Sequence, residues 1–165
     1  MPYVEIAHHT YPLRFTARSL LRTQEMSKLP FQSLFSRGAE GAKWLLYCAL
    51  CDYRPALAFR HAEALFEACL SDIALLYDKL TLAFYQSGFP REGITQGEFD
   101  RLLDAAARTG MKNSRRLYDL TYHEIVRELD AHLARQPHAD IAPMTDAQMQ
   151  SILKSFAGRC DDANP

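Results

Sequence analysis

The sequence predicts a mainly α protein with a short N-terminal β-hairpin (α+β), built as a helical domain around a central apolar helix and followed by a smaller helical unit. Trp44 to Cys51 is an unbroken apolar run long enough for about two turns of helix, with no polar face to turn toward water. The stretches after it repeat apolar residues at the i, i+3, i+4, i+7 spacing of an amphipathic helix. Residues 3 to 7 and 11 to 15 alternate instead, which is the period of a strand.

Taken in order, Tyr3 to Ala7 and Tyr11 to Phe15 read as two strands joined by His8-His9-Thr10, with Tyr11, Leu13 and Phe15 on one face. Pro12 confines the second strand to an edge. Thr16 stands where an N-cap belongs, ahead of a helix carrying Ala17, Leu20 and Leu21 that runs to about Ser27, because Pro30 cannot continue it. Phe31, Leu34 and Phe35 predict a turn or two of helix before Gly38, and Gly41 precedes the central helix. After a break at Asp52 to Pro55, Ala62, Leu65, Phe66 and Cys69 mark one helix, and Ile73, Leu76, Tyr77, Leu80, Ala83 and Phe84 mark the next. Gly88 and Pro90 are a helix stop. With the apolar run as the expected centre, Trp44→Ala is expected to cost about 3 to 5 kcal/mol.

Residues 87 to 94 read as a linker. Beyond them Thr95 and Glu98 form a capping box before Phe99, Leu102, Leu103 and Ala106, and Gly110 ends that helix. Asn113 is placed to cap a short segment from Ser114 to Leu117. Thr121 and Glu124 repeat the capping box ahead of Ile125, Val126, Leu129 and Leu133, in a helix ending near Gln136. Pro137 and Pro143 lie in a tether, and Thr145 opens a last amphipathic helix with Met149, Ile152, Leu153 and Phe156, stopped by Gly158. The expected organisation is therefore 1–89, 90–136 and 137–165.

Composition narrows the function. A chain of 165 residues is 48% apolar, enough for a real core, and its net charge of -1 supplies no global field to hold a polyanion. No stretch approaches the ~20 apolar residues that cross a bilayer, and the N-terminus lacks a signal-peptide layout, so a cytoplasmic protein is expected. Cys48, Cys51, Cys69 and Cys160 are expected as free thiols. Cys48 and Cys51 have C-x-x-C spacing, but they lie inside the apolar run with no second pair, so buried structural cysteines are expected.

Chemical motifs are sparse. No phosphate-binding glycine loop, dinucleotide fingerprint or nucleophile elbow occurs. His123-Glu124 begins like a zinc protease motif, yet Arg127 stands where the second histidine belongs. His61, Glu63 and Glu67 form the other cluster, although positions 61 and 63 do not share a helix face. Arg101, Arg108, Lys112, Arg115 and Arg116 make the second half locally basic and invite comparison with a helix-turn-helix, the alternative being a small helical DNA-binding regulator. Asp100, Asp104, Asp119, Glu124, Glu128 and Asp130 are interspersed with them and would set carboxylates against phosphates. No enzyme activity, cofactor, metal, nucleic acid or membrane partner is expected.

The order of elements resembles a known family. Tyr3-Val-Glu-Ile-Ala, then Tyr11-Pro-Leu-Arg-Phe15-Thr16, a helix with Leu20-Leu21, the apolar helix ending at Leu50 before Pro55, and the helix pair to Phe84 are similar to the tail assembly chaperones of long-tailed bacteriophages. Phe99 through Gly110 to Tyr118-Asp-Leu-Thr-Tyr-His-Glu124 resembles the downstream part of that family's longer form. The resemblance spans about residues 3 to 136. It departs from the family's pattern at His8-His9-Thr10, where a glycine is common, and it has no counterpart for the helix after 145. It implies a non-enzymatic chaperone in the host cell cytoplasm, made in infection or from a prophage, that keeps the tape measure protein soluble and recruits tail tube protein subunits. The 3 to 89 unit would then form a homo-oligomer and hold the tape measure, and the 95 to 136 unit would contact the tube, with Tyr118, Thr121, Tyr122 and Glu124 at or beside that contact.

Overall fold

A computed structural model describes residues 1–135 and, beyond them, positions 150, 151 and 154. It is mostly helical with a two-stranded antiparallel hairpin at its start, as the sequence predicts. The tether, Cys160 and the helix expected after Thr145, apart from positions 150, 151 and 154, lie outside the described residues.

Strands β1 (Tyr3–Ile6) and β2 (His9–Pro12) pair from Tyr3 with Pro12 to Ile6 with His9. The connection is therefore Ala7-His8 and not His8-His9-Thr10. Both residues have positive φ, 49° and 66°. That backbone matches the twist of the paired strands, and it was hidden in the sequence because neither residue is the glycine or asparagine such a turn favours. The face read from the alternation is correct: Tyr11, Leu13 and Phe15 are all buried. Leu13 and Phe15 lie past the ladder, where the Leu13 amide donates to the Pro2 carbonyl (2.9 Å) and the Arg14 amide to that of Ala49 (3.1 Å).

Helix α1 (Ala17–Ser27) starts at Thr16, whose hydroxyl accepts from the Ser19 amide (3.2 Å) while the Ser19 hydroxyl accepts from the Thr16 amide (2.9 Å). A 3-10 turn, Phe31–Ser36, leads into α2 (Gly38–Leu50). Gly41 lies inside α2, three residues past its start, and does not precede it. It is needed there because the helix passes against the Leu34 carbonyl with no room for a Cβ.

Leu45 to Leu50 are buried, so the apolar run is central. Trp44 sits at its margin. Its indole is part-exposed and stacks on Phe59 with ring centroids 3.7 Å apart. The densest aromatic contacts lie instead around Phe84, whose ring centroid is 5.3 Å from Phe15, 5.5 Å from Phe31 and 5.0 Å from Phe35.

Helix α3 (Phe59–Ala68) buries Ala62 and Phe66, with Cys69 just past its end, and a 3-10 turn, Leu70–Asp72, leads to α4 (Ile73–Ser87). Helix α4 buries Leu76, Leu80, Ala83 and Phe84 and ends at left-handed Gly88.

Residues 87 to 94 are packed against the core, which corrects their reading as a linker. Phe89 and Ile94 are buried, and the Gln24 side-chain amide donates to the Ile94 carbonyl at 2.6 Å. Two apolar side chains in a polar stretch suffice to pin it.

Helix α5 (Gln96–Arg108) and helix α6 (Tyr122–Ala134) open with the expected Thr95/Glu98 and Thr121/Glu124 boxes. Between them runs a 3-10 segment, Ser114–Asp119, and Asn113 makes no side-chain cap bond there. The Ala17 amide donates to the Leu120 carbonyl (3.1 Å), so this segment is bonded to the start of α1. Among the described residues no helix is long and apolar enough to cross a membrane.

Candidate functional site

The strip expected to meet a partner is divided among three surroundings. Tyr118 lies over α5, its ring 4.6 Å from that of Phe99 and its hydroxyl donating to Asp100 (3.3 Å) and accepting from Gln96 (2.8 Å). The Arg18 guanidinium covers its other side at 5.3 Å. Tyr122 turns inward and packs its ring 5.9 Å from that of Phe89. Thr121 and Glu124 are brought together: the Thr121 hydroxyl accepts from the Glu124 amide (3.3 Å), and the carboxylate accepts from the Thr121 amide (3.2 Å).

Glu124 has a second task. Its carboxylate pairs with the Arg14 guanidinium, which also donates to Asp52 (2.9 Å) and to the Asp119 carbonyl (3.0 Å). Arg14 thus ties the end of the hairpin to the end of α2 and the start of α6. Sequence reasoning missed this residue. Its acceptors lie 38, 105 and 110 positions away, and no local spacing encodes such a meeting.

The other clusters dissolve on inspection. His61 Nδ1 accepts from the Ala58 amide (3.4 Å) at the head of α3, whereas Glu63 and Glu67 flank Lys43 at 3.7 and 3.6 Å. Among the described residues no three His, Cys, Asp or Glu side chains gather as a metal would need. In the basic set, Arg108 pairs with Asp104 (3.0 Å) and Arg116 with Glu128 (2.7 Å), so part of it is neutralised where it stands.

Cys48, Cys51 and Cys69 are free and buried. Burial pushes the Cys48 thiol from 9.0 up to about 12, and the Tyr47 phenol from 10.0 to about 12 by the same cause. Neither group is poised as a nucleophile at neutral pH. Because the folded pKa values lie above the unfolded ones, their neutral forms contribute stability fully below pH 9.0, and this is lost as pH rises toward about 12. The urea midpoint is expected to fall between about pH 8 and about pH 10.5. An unchanged midpoint contradicts the burial described for both groups.

Apolar surface left uncovered is the remaining feature. Leu75 and Leu82, one heptad apart on α4, are 53% and 46% exposed, and Tyr85 is 77% exposed. They lie opposite the buried Leu76, Leu80 and Phe84 face. Leu70 and Tyr3 are exposed to a similar degree, with the Lys79 ammonium of α4 5.0 Å from the centre of the Tyr3 ring. A separate cleft of about 730 Å³, lined by Tyr53, Pro55, Leu57, Ala64 and Leu65, opens between the α2–α3 loop and α3.

No protein-family model matches this chain, nor does any curated protein or solved structure.

Proposed function

We propose that this protein is a non-enzymatic tail assembly chaperone of a long-tailed phage or prophage, acting in the host cytoplasm to keep the tape measure protein soluble and to recruit tail tube subunits. The observation that supports it best is on the outer face of α4, where Leu75, Leu82 and Tyr85 stay exposed beside Asp78 and Lys79 although the helix already buries its inner face. A monomer gains nothing from leucines in water at heptad spacing. A helical client with its own apolar stripe gains a partner. On this reading residues 3–89 hold the tape measure and associate with further copies, while the 95–136 unit meets the tube subunit beside Tyr118, Thr121 and Glu124. Buried Tyr122 supports that region from within.

Co-expression with a helical fragment of the tape measure protein tests the reading. The parent chain is expected to carry the fragment into the soluble fraction, and Leu75→Glu with Leu82→Glu is expected to reduce that yield roughly tenfold, since each charge would be buried unpaired on binding. The variant keeps its inner face, so its circular dichroism and melting temperature stay those of the parent. A parent that leaves the fragment insoluble, or a variant that rescues it equally well, removes the proposal.

A further inference from the structure

A groove of about 850 Å³ runs between the 3-10 segment Ser114–Asp119 and α6. Met111 and Leu120, both part-exposed, line it over the buried Leu117, and Lys112, Arg127 and Arg135 line it as exposed cations with no partner among the described residues. Two carboxylates also line it, but Glu124 is held by Arg14 and Glu128 by Arg116 at 2.7 Å. The charge left to face an incoming molecule is therefore positive over an apolar bed.

From this arrangement we infer that the groove receives an acidic amphipathic segment of a protein partner, laid with its apolar side on Met111 and Leu120 and its carboxylates toward Lys112, Arg127 and Arg135. Charge complementarity sets the approach and the register, and the apolar bed supplies the contact that survives salt. A nucleic acid fits less well, because its phosphate backbone has no use for an apolar bed. The inference rests on the proposed function only in placing a partner on this half of the chain. Capture of the tape measure through α4 is read by a separate measurement, so either can fail alone.

The test uses the full chain and a fluorescein-labelled helix-forming peptide with leucines at i, i+3, i+4 and i+7 and glutamates elsewhere. Its counterparts are the same peptide with lysines in place of the glutamates and a labelled DNA duplex. Anisotropy titrations are expected to show the acidic peptide binding at least roughly tenfold tighter than either counterpart. Lys112→Glu with Arg127→Glu, both at exposed positions, is expected to weaken the acidic peptide by roughly tenfold or more and leave the melting temperature unchanged. Leu120→Ser is expected to weaken it at high salt as well as at low, because it removes the apolar part of the contact. Equal binding of the acidic and basic peptides, no binding, or a duplex bound as tightly as the acidic peptide each overturns the inference.

Discussion

Phe84→Ala is expected to lower the unfolding free energy by about 3 to 5 kcal/mol, more than Trp44→Ala. The ring touches three others that come from two separate parts of the chain: Phe15 after the hairpin, and Phe31 and Phe35 in the 3-10 turn. Its removal leaves a void that all three would have to collapse into, and the surrounding backbone cannot follow, since the Arg14 amide is bonded to Ala49. Trp44→Ala removes a larger side chain but a smaller share of the core. The indole is open to water on part of its surface and its main contact is the Phe59 ring, so its loss falls below that of Phe84. Urea titrations of the two variants check the order, and a Trp44 variant less stable than the Phe84 one would place the centre of the core elsewhere.

Gly41→Ala carries the second large effect, about 3 kcal/mol of destabilisation, with a sign opposite to the usual one. Alanine in place of glycine inside a helix ordinarily stabilises by about 0.5 to 1 kcal/mol. At position 41 the new methyl would overlap the Leu34 carbonyl, with the carbonyl carbon at 2.8 Å and the Arg37 Cβ at 3.2 Å. The obstacle is backbone and cannot rotate aside. Gly97 in α5 is the internal control, because nothing lies within 4 Å of a Cβ built there. Gly97→Ala is expected to raise the melting temperature and Gly41→Ala to lower it. Two shifts of the same sign would mean that α2 does not approach the 3-10 turn as closely as described.

What could be read in advance was local. The Thr95/Glu98 and Thr121/Glu124 boxes, the left-handed Gly88 stop and the inner stripe of α4 follow from residues within a turn or two of each other. The Thr16 cap was visible, but its reciprocal partner Ser19 was not, since serine is not the glutamate or glutamine expected at that place. The Ala7-His8 turn was missed because it holds left-handed backbone without the residues that advertise it. Residues 87 to 94 looked like a linker because polarity was averaged over the stretch, and Phe89 and Ile94 act one at a time. The surroundings of residues 118 to 124 were the least legible. Tyr122 is claimed by Phe89 and Glu124 by Arg14, and neither demand is written near residue 122.

The reach of Arg14 matters before the protein is finished. At about 5 to 20 residues per second of synthesis, the interval between the emergence of Asp52 and that of Glu124 lasts several seconds. Throughout it the guanidinium has one of its acceptors and lacks the two that come last, 105 and 110 positions on. The newborn hairpin then has its bonds to Ala49 and Asp52 but no tie to the second half of the chain. The start of α6 supplies the last acceptor, so the hairpin's tie to the second half of the chain is among the final bonds to form.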